Sequence, residues 1–340
     1  MNKTFDIAVV GATGVVGEAM LDILAERKFP VGNVYALASE RSIGNTVSFG
    51  RRELEVSDLA EFDFSQVSIG LFSAGASVSA KYAPEAVAAG CIVIDNTSNF
   101  RNDDDIPLVV PEVNADKIAN YKDTGIIANP NCSTIQLVVA LKPIYDAVGI
   151  DRINVATYQS VSGAGRKAVE KLVKQTASML NGRPLEIEDD DIQIAFNAVP
   201  HIDEFQDNRY TKEEMKMVWE TRKILGDDDL LINPTAVRVP VFYGHSEAVH
   251  IETKQKITAA KACELLRSAP GITLLDGDNT RHYPTAVTES SGTDAVYVGR
   301  VREDISHPRG INRWVVSDNI RKGAALNSVQ IAEILVKNYL

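Results

Sequence analysis

The sequence predicts an α/β chain in two domains: a first built on a mostly parallel sheet wrapped by helices, and a second of α+β type on an antiparallel or mixed sheet. Short apolar runs alternate with helix-patterned stretches up to about residue 128, as parallel strands joined by helices require. After residue 150 the strands are longer and several alternate apolar with polar residues, as in a sheet covered on one face. A length of 340 residues is enough for two substantial cores.

The first strand, residues 5–10, runs straight into Gly11-Ala-Thr-Gly14-Val-Val-Gly17 and then into a helix over 18–27. This is a variant of the dinucleotide fingerprint. Glycines let the backbone approach a pyrophosphate, and the helix N-terminus faces its charge. Gly11, Thr13, Gly14, Val15, Val16 and Gly17 are therefore candidate cofactor residues. The next strand, 34–38, ends in Ser39-Glu40-Arg41-Ser42. Glu40 would suit ribose hydroxyls, whereas Arg41 between Ser39 and Ser42 suits a 2′-phosphate, so NADP is favoured over NAD. A strand at 67–72, a helix at 80–89, a strand at 92–95 and a β-type segment at 125–128 complete the first pattern.

Cys132 follows in Ile127-Ala-Asn-Pro-Asn-Cys-Ser-Thr134, just before a helix over 135–147. A helix N-terminus favours thiolate over thiol, and the Asn-Pro turn holds the sulfur at the mouth of a cleft. Strands are expected at 153–159, 236–241, 247–256, 295–302 and 312–317, with helices at 167–180, 211–225 and 259–268. The amphipathic segment 324–336 is expected to pack back onto the first domain. The domains are then 1–128 plus a C-terminal helix at about 321–340, and 129–320.

A cysteine nucleophile beside a dinucleotide points to aldehyde oxidation or acyl reduction through a thioester. Such chemistry needs a proton-transfer group, donors for an oxyanion and anchors for substrate. In Arg238-Val-Pro-Val-Phe-Tyr-Gly-His245, a strand ending in Gly-His would place the imidazole at its tip with Arg238 on the same element. His201, His250, His282 and His307 lack such a setting. Gln159 ends a strand before Ser160-Val-Ser162-Gly163-Ala-Gly165, where an amide can orient a carbonyl and the turn can admit a nicotinamide carboxamide. Glu213 and Lys216 lie three residues apart, which by spacing alone reads as a solvated surface pair. Arg101, after Asp95-Asn-Thr-Ser, is either an anion ligand or a loop charge. Cys91 and Cys263 read as inert filler.

A net charge of −11 argues against a nucleic-acid surface. No stretch is long and apolar enough for a membrane span, and strand pattern begins too early for a signal peptide. Three cysteines without paired spacing indicate neither disulfides nor a zinc site, so a reducing cytoplasm is expected and no metal. The acidic runs 103–105, 188–191 and 227–229 read as exposed loops.

Together Gly11 to Gly17, Ser39 to Ser42, Asn96-Thr-Ser-Asn-Phe-Arg101, Asn129-Pro-Asn-Cys-Ser-Thr134, Ser160 to Gly165, Glu213-Glu-Met-Lys216 and Arg238 to His245 resemble the aspartate-semialdehyde dehydrogenase family, over essentially the whole chain. The resemblance implies a Rossmann-type NADP-binding domain plus a mixed-sheet catalytic and dimerisation domain, working as a homodimer. It implies reversible reduction of aspartyl 4-phosphate to aspartate 4-semialdehyde, with inorganic phosphate released, on the route to lysine, threonine, methionine and isoleucine. By that pattern Cys132 is the nucleophile, His245 the general acid/base and Gln159 the group that positions the acyl intermediate. Arg238 grips the α-carboxylate and Glu213 meets the α-amino group. Arg101, Lys216 and Asn131 match the phosphate site, while Ser162, Gly163 and Asn319 match the approach to the nicotinamide. Family members often carry Ala where this chain has Glu40, a carboxylate that must point away from a phosphate. The nearest rival, N-acetyl-glutamyl-phosphate reductase, has Gly-Cys-Tyr at the cysteine and needs no partner for a free ammonium. Glyceraldehyde-phosphate dehydrogenase has Ser-Cys-Thr-Thr-Asn, absent here. A non-catalytic NADP sensor would be expected to lose Cys132 or His245.

Overall fold

The computed structural model describes residues 3–185, 187, 192–277 and 282–340. It divides into two compact units, Met1–Asn131 with Gly323–Leu340, and Cys132–Lys322.

The first unit runs β1 (Phe5–Val10), α1 (Val15–Glu26), β2 (Val31–Ala38), β3 (Thr46–Phe49), β4 (Arg52–Asp58), β5 (Ile69–Phe72), α2 (Ala76–Ala88), β6 (Ile92–Asp95), α3 (Pro111–Asn114), α4 (Tyr121–Thr124) and β7 (Ile126–Ala128). Its sheet has the order β3-β4-β2-β1-β5-β6-β7. All neighbours are parallel except β3 and β4, a hairpin at the edge. β1 sits centrally, and Ile7, Ala8, Val9 and Val10 are fully buried, which is why the segment reads as a continuous apolar run.

The second unit runs α5 (Cys132–Val148), β8 (Ile150–Gln159), α6 (Arg166–Leu180), α7 (Lys212–Leu225), β9 (Leu231–Arg238), β10 (His245–Thr253), α8 (Ala259–Ser268), β11 (Ile272–Leu274), β12 (Val296–Glu303) and β13 (Gly310–Ser317). The sheet order is β11-β12-β13-β10-β8-β9, with parallel pairs at both edges and antiparallel pairs between, so it is mixed. In β8 and β10 burial alternates along the strand. Ser133 through Leu141 of α5 are all buried, the signature of a helix enclosed on every side.

One expectation is corrected here. The strand expected over 236–241 ends at Arg238, and His245 is not at its tip but opens β10. Pro240 has no N–H to continue the ladder, and Gly244 turns the chain at φ +85. The functional consequence survives in a different form. β8 and β9 are parallel with Gln159 opposite Arg238, and antiparallel β10 begins at that same end of the sheet.

The chain closes with α9 (Leu326–Asn338), which belongs to the first unit. Leu326, Val329, Ile331, Ala332 and Leu335 pack in one core with Met20, Leu21 and Leu24 of α1. Asn327 Nδ2 donates to Asn129 Oδ1 at 2.7 Å and to the Val109 carbonyl at 3.0 Å, and Arg27 grips Glu333 through two bonds. Lys3 also donates to the Leu340 carbonyl. The acidic residues 103–105 and 227–229 lie in turns, while 188–191 lie outside the described residues.

Candidate active site

In the first unit, the β1–α1 turn, the end of β2 and the start of α2 enclose a cleft of about 580 Å³. Gly11, Thr13 and Gly14 line it, as do Ser39, Glu40 and Ser42. A Cβ on Gly17 would come within 2.1 Å of the Gly11 carbonyl oxygen, so only glycine lets α1 start this close to the turn. Glycine turn, helix start and cleft fit a dinucleotide. Val15 and Val16 open α1 behind the turn. Arg41 is exposed in the short helical turn Glu40–Ser42 and does not line the cleft, whereas Glu40 does.

Asn131 and Arg101 also belong to this unit, and both are buried. Arg101 Nη2 donates to the Asn96 carbonyl at 2.9 Å. The turn that leads to Cys132 is anchored by Asn129, a residue that sequence reasoning passed over. Fully buried, it donates to Asn96 Oδ1 at 2.7 Å and accepts from Asn327. Its signal was an amide in an apolar strand end, which is satisfied only by partners distant in sequence.

The second unit brings together Cys132, Gln159, Ser160, Ser162, Gly163, Glu213, Lys216, Arg238, His245 and Asn319. Cys132 is the first residue of α5 and half-buried. Gln159 Nε2 donates to Oγ of the adjacent Ser133 at 2.8 Å, and lies 3.3 Å from both Thr157 Oγ1 and Glu213 Oε1. Glu213 does pair with Lys216, at 3.1 Å, but the pair is not a solvated surface one. Glu213 is buried, and Lys216 reaches on to Asp203 at 2.7 Å. Burial works against the Lys216 charge, yet Glu213 and Asp203 outweigh it and hold its pKa above the usual value.

Arg238 Nη1 donates to the Ser160 carbonyl at 2.7 Å, fixing the guanidinium against the 160–163 turn. Burial lowers its pKa, with the charges of Glu213 and Cys132 acting the other way. His245 is fully buried. The Ser160 main-chain N–H, which can only donate, reaches its Nδ1 at 3.1 Å. In the neutral ring the proton therefore sits on Nε2. Burial first, and Arg238 second, push the His245 pKa down to about 3. A Cβ on Gly163 would stand 3.3 Å from both His245 Nε2 and Arg238 Nη1, so the glycine keeps the space before these groups open. Asn319 Oδ1 accepts from the Gly244 N–H at 2.9 Å and from Ser160 Oγ at 3.1 Å, and its Nδ2 donates to Ser162 at 3.0 Å. It thereby clamps the turn to the start of β10.

The other thiols make no contact described with this network, whereas His201 lines a cavity of about 270 Å³ with Arg238 and Val161. Burial raises Cys91 to about 12; burial together with Asp276 raises Cys263 to about 11. His201 stacks on Phe205, and His250 meets Asp304 at 2.7 Å. Among the described residues, no group of three or more His, Cys, Asp or Glu is arranged to hold a metal ion, and no helix is long and apolar enough to cross a membrane.

A nucleotide-type fold in one unit, and a helix-capping cysteine with imidazole, amide and guanidinium in the other, define the class: a dinucleotide-dependent dehydrogenase of the semialdehyde type. Residues 6–121 match the family described as semialdehyde dehydrogenase, NAD binding domain, and residues 141–322 match its dimerisation domain. The chain is 63% identical to the aspartate-semialdehyde dehydrogenase of Legionella pneumophila, over all of this chain and 98% of that protein. Among solved structures, aspartate semialdehyde dehydrogenase II of Vibrio cholerae, complexed with ASA, is 59% identical with a TM-score of 0.97 and full coverage of both chains. The NADP-bound enzyme of Candida albicans is 27% identical with a TM-score of 0.75, covering 98% of this chain and 99% of that one. The chain belongs to the aspartate-semialdehyde dehydrogenase family.

Proposed function

We propose that this chain reduces L-aspartyl 4-phosphate to L-aspartate 4-semialdehyde, with release of phosphate, through a thioacyl intermediate on Cys132. The observation that most supports this is the Ser160 turn, which fixes His245 through its Nδ1 and Arg238 through its fork in the unit that begins at Cys132.

Cys132 Sγ attacks the acyl carbon; the bond from that carbon to the phosphate oxygen breaks, and phosphate leaves. NADPH supplies the hydride when bound. The His245 Nε2–H donates a hydrogen bond to the resulting oxyanion, which collapses to the aldehyde as the carbon–sulfur bond breaks and the thiolate is restored. Gln159, tied to Ser133, holds the acyl group beside the sulfur. Arg238 pairs with the α-carboxylate as a planar fork, and Glu213 receives the α-ammonium. Arg101, Asn131 and Lys216 serve the departing phosphate. The glycine turn with Ser39 and Ser42 would hold NADP, with the exposed Arg41 next to the cleft as the group for its 2′-phosphate and Glu40, which lines the cleft, suited to the ribose hydroxyls. Ser162, Gly163 and Asn319 shape the approach of the nicotinamide. Two copies pair through the second unit, whose match is to a dimerisation domain, and the enzyme works in the reducing cytoplasm that a free thiol nucleophile needs.

The deciding assay is phosphate-dependent NADP reduction with L-aspartate 4-semialdehyde, run beside N-acetyl-glutamate semialdehyde and repeated with NAD. Turnover of the free amino acid semialdehyde, dependent on phosphate and faster with NADP, is expected. Preference for the acetylated substrate would void the Glu213 role, and preference for NAD would give the β2 loop to Glu40. Arg238→Lys is expected to raise KM for the semialdehyde by about tenfold or more with a smaller effect on kcat, since a point charge replaces a two-pronged fork. An unchanged KM would remove Arg238 from the carboxylate.

A further inference from the structure

Three buried polar residues of the second unit take no part in that chemistry. Glu247 and Gln136 are essentially inaccessible and Arg313 is 2% exposed. Glu247 pairs across the ladder with Val315, and Arg313 with Val249, so the two charges are diagonal neighbours on one face of the sheet. Gln136 comes to Glu247 from α5, and the Arg313 charge acts on the same carboxyl. Yet neither carboxylate oxygen of Glu247, none of the three guanidinium nitrogens and not the Gln136 Nε2 makes a hydrogen bond of good geometry among the described residues. Burial accordingly drives the Glu247 carboxyl well above its ordinary range and Arg313 down to about 10.

As a source of stability this arrangement is poor, because buried polar groups without hydrogen-bond partners cost free energy that apolar side chains of similar volume would not. Its placement is more telling. Gln136 lies one helical turn after Cys132 on α5, and Glu247 lies two residues after His245 on the same face of β10. Glu247 also stands opposite Thr157 of β8, whose hydroxyl lies 3.3 Å from the Gln159 amide. One cluster therefore adjoins the elements that present the sulfur, the imidazole and the amide.

We propose that Gln136, Glu247 and Arg313 form a positioning device, which sets how α5 sits against β10 and so where Cys132 Sγ stands relative to His245. The inference rests on the roles given above to those two residues. In the full-length protein, Glu247→Leu combined with Arg313→Met replaces the charges by apolar groups of similar size. The double variant is expected to keep or raise the thermal midpoint while kcat falls by about 10²-fold, the cost of a slight misplacement of reacting groups. KM for L-aspartate 4-semialdehyde should stay within about twofold, since Arg238 and Glu213 are untouched, and alkylation of Cys132 by iodoacetamide should change in rate. Gln136→Leu, which leaves Glu247 and Arg313 in place, should lower kcat by about tenfold and decides the matter if the double variant does not fold. Unchanged kcat in the folded variants, or losses that only track the thermal midpoint, would overturn the proposal. Retention of turnover by Cys132→Ala would instead overturn the mechanism beneath it, so the two failures are distinguishable.

Discussion

Cys132→Ala lowers turnover by about 10⁴-fold or more, as removal of a nucleophile does, and leaves NADP affinity near that of the parent. The sulfur is the atom to which the acyl group is transferred, and the hydroxyls that follow it in α5, Ser133 and Thr134, are fully buried. The residues lining the dinucleotide cleft all lie between Gly11 and Tyr82, on other elements. Steady-state rates with the semialdehyde, beside a fluorescence titration with NADP, make the check. Retention of more than about a hundredth of the parent rate would remove the thioacyl route. Iodoacetamide near neutral pH should label one thiol in the parent and none in the variant, because Cys91 and Cys263 are held at about 12 and 11.

His245→Asn has the next largest effect, a fall in kcat of about 10²- to 10⁴-fold, the range for loss of a positioned acid or base. Asparagine keeps an acceptor for the Ser160 N–H but is too short to place a donor where the Nε2–H stands. The same change alters stability against pH. The folded-state pKa is about 3 against 6.5 for the free side chain, through burial first and Arg238 second. Between those values the unfolded chain carries one proton more than the native one. Stability from this group is fully present above about pH 6.5 and declines by about 1.4 kcal/mol per pH unit as the pH falls. It is gone once the pH has passed below about 3. Urea unfolding of parent and variant from pH 7 to pH 4 should therefore show the shallower decline in His245→Asn. Parallel declines would mean that the imidazole is solvated, and its poise as a neutral donor would fall with that.

Much of this was legible because it is local. A run such as Phe5–Val10 meeting three spaced glycines leaves few alternatives to a strand, a tight turn and a helix start. Cys132 could be placed at a helix N-terminus because Pro130 breaks the strand just before it. The edge hairpin of β3 and β4 escaped notice: four residues and seven residues of mixed polarity, joined by Gly50 and Arg51, carry little hydrophobic pattern. The break between Arg238 and His245 had its signals in Pro240 and Gly244, but an apolar stretch between them reads equally well as strand. Spacing alone reads Glu213 and Lys216 as a surface pair, and only the family resemblance places them in a site, because i,i+3 spacing says nothing of what covers the helix; Gln159 and Asp203 arrive from elsewhere in the chain. Glu247 is the instructive miss. It occupies a core-facing phase of β10 between His245 and Val249, and a charge out of phase with its strand was readable as a buried one.

The first unit's core is stitched from both ends of the polypeptide, with α1 near the beginning packed on α9 near the end. During synthesis, the seven-stranded sheet leaves the ribosome long before the helix that completes its core. Until about residue 335 has emerged, Met20, Leu21 and Leu24 lack the α9 part of their core, which follows some 190 intervening residues. The second unit is continuous in sequence and has no such delay. The later-made unit is therefore complete in sequence before the earlier-begun one.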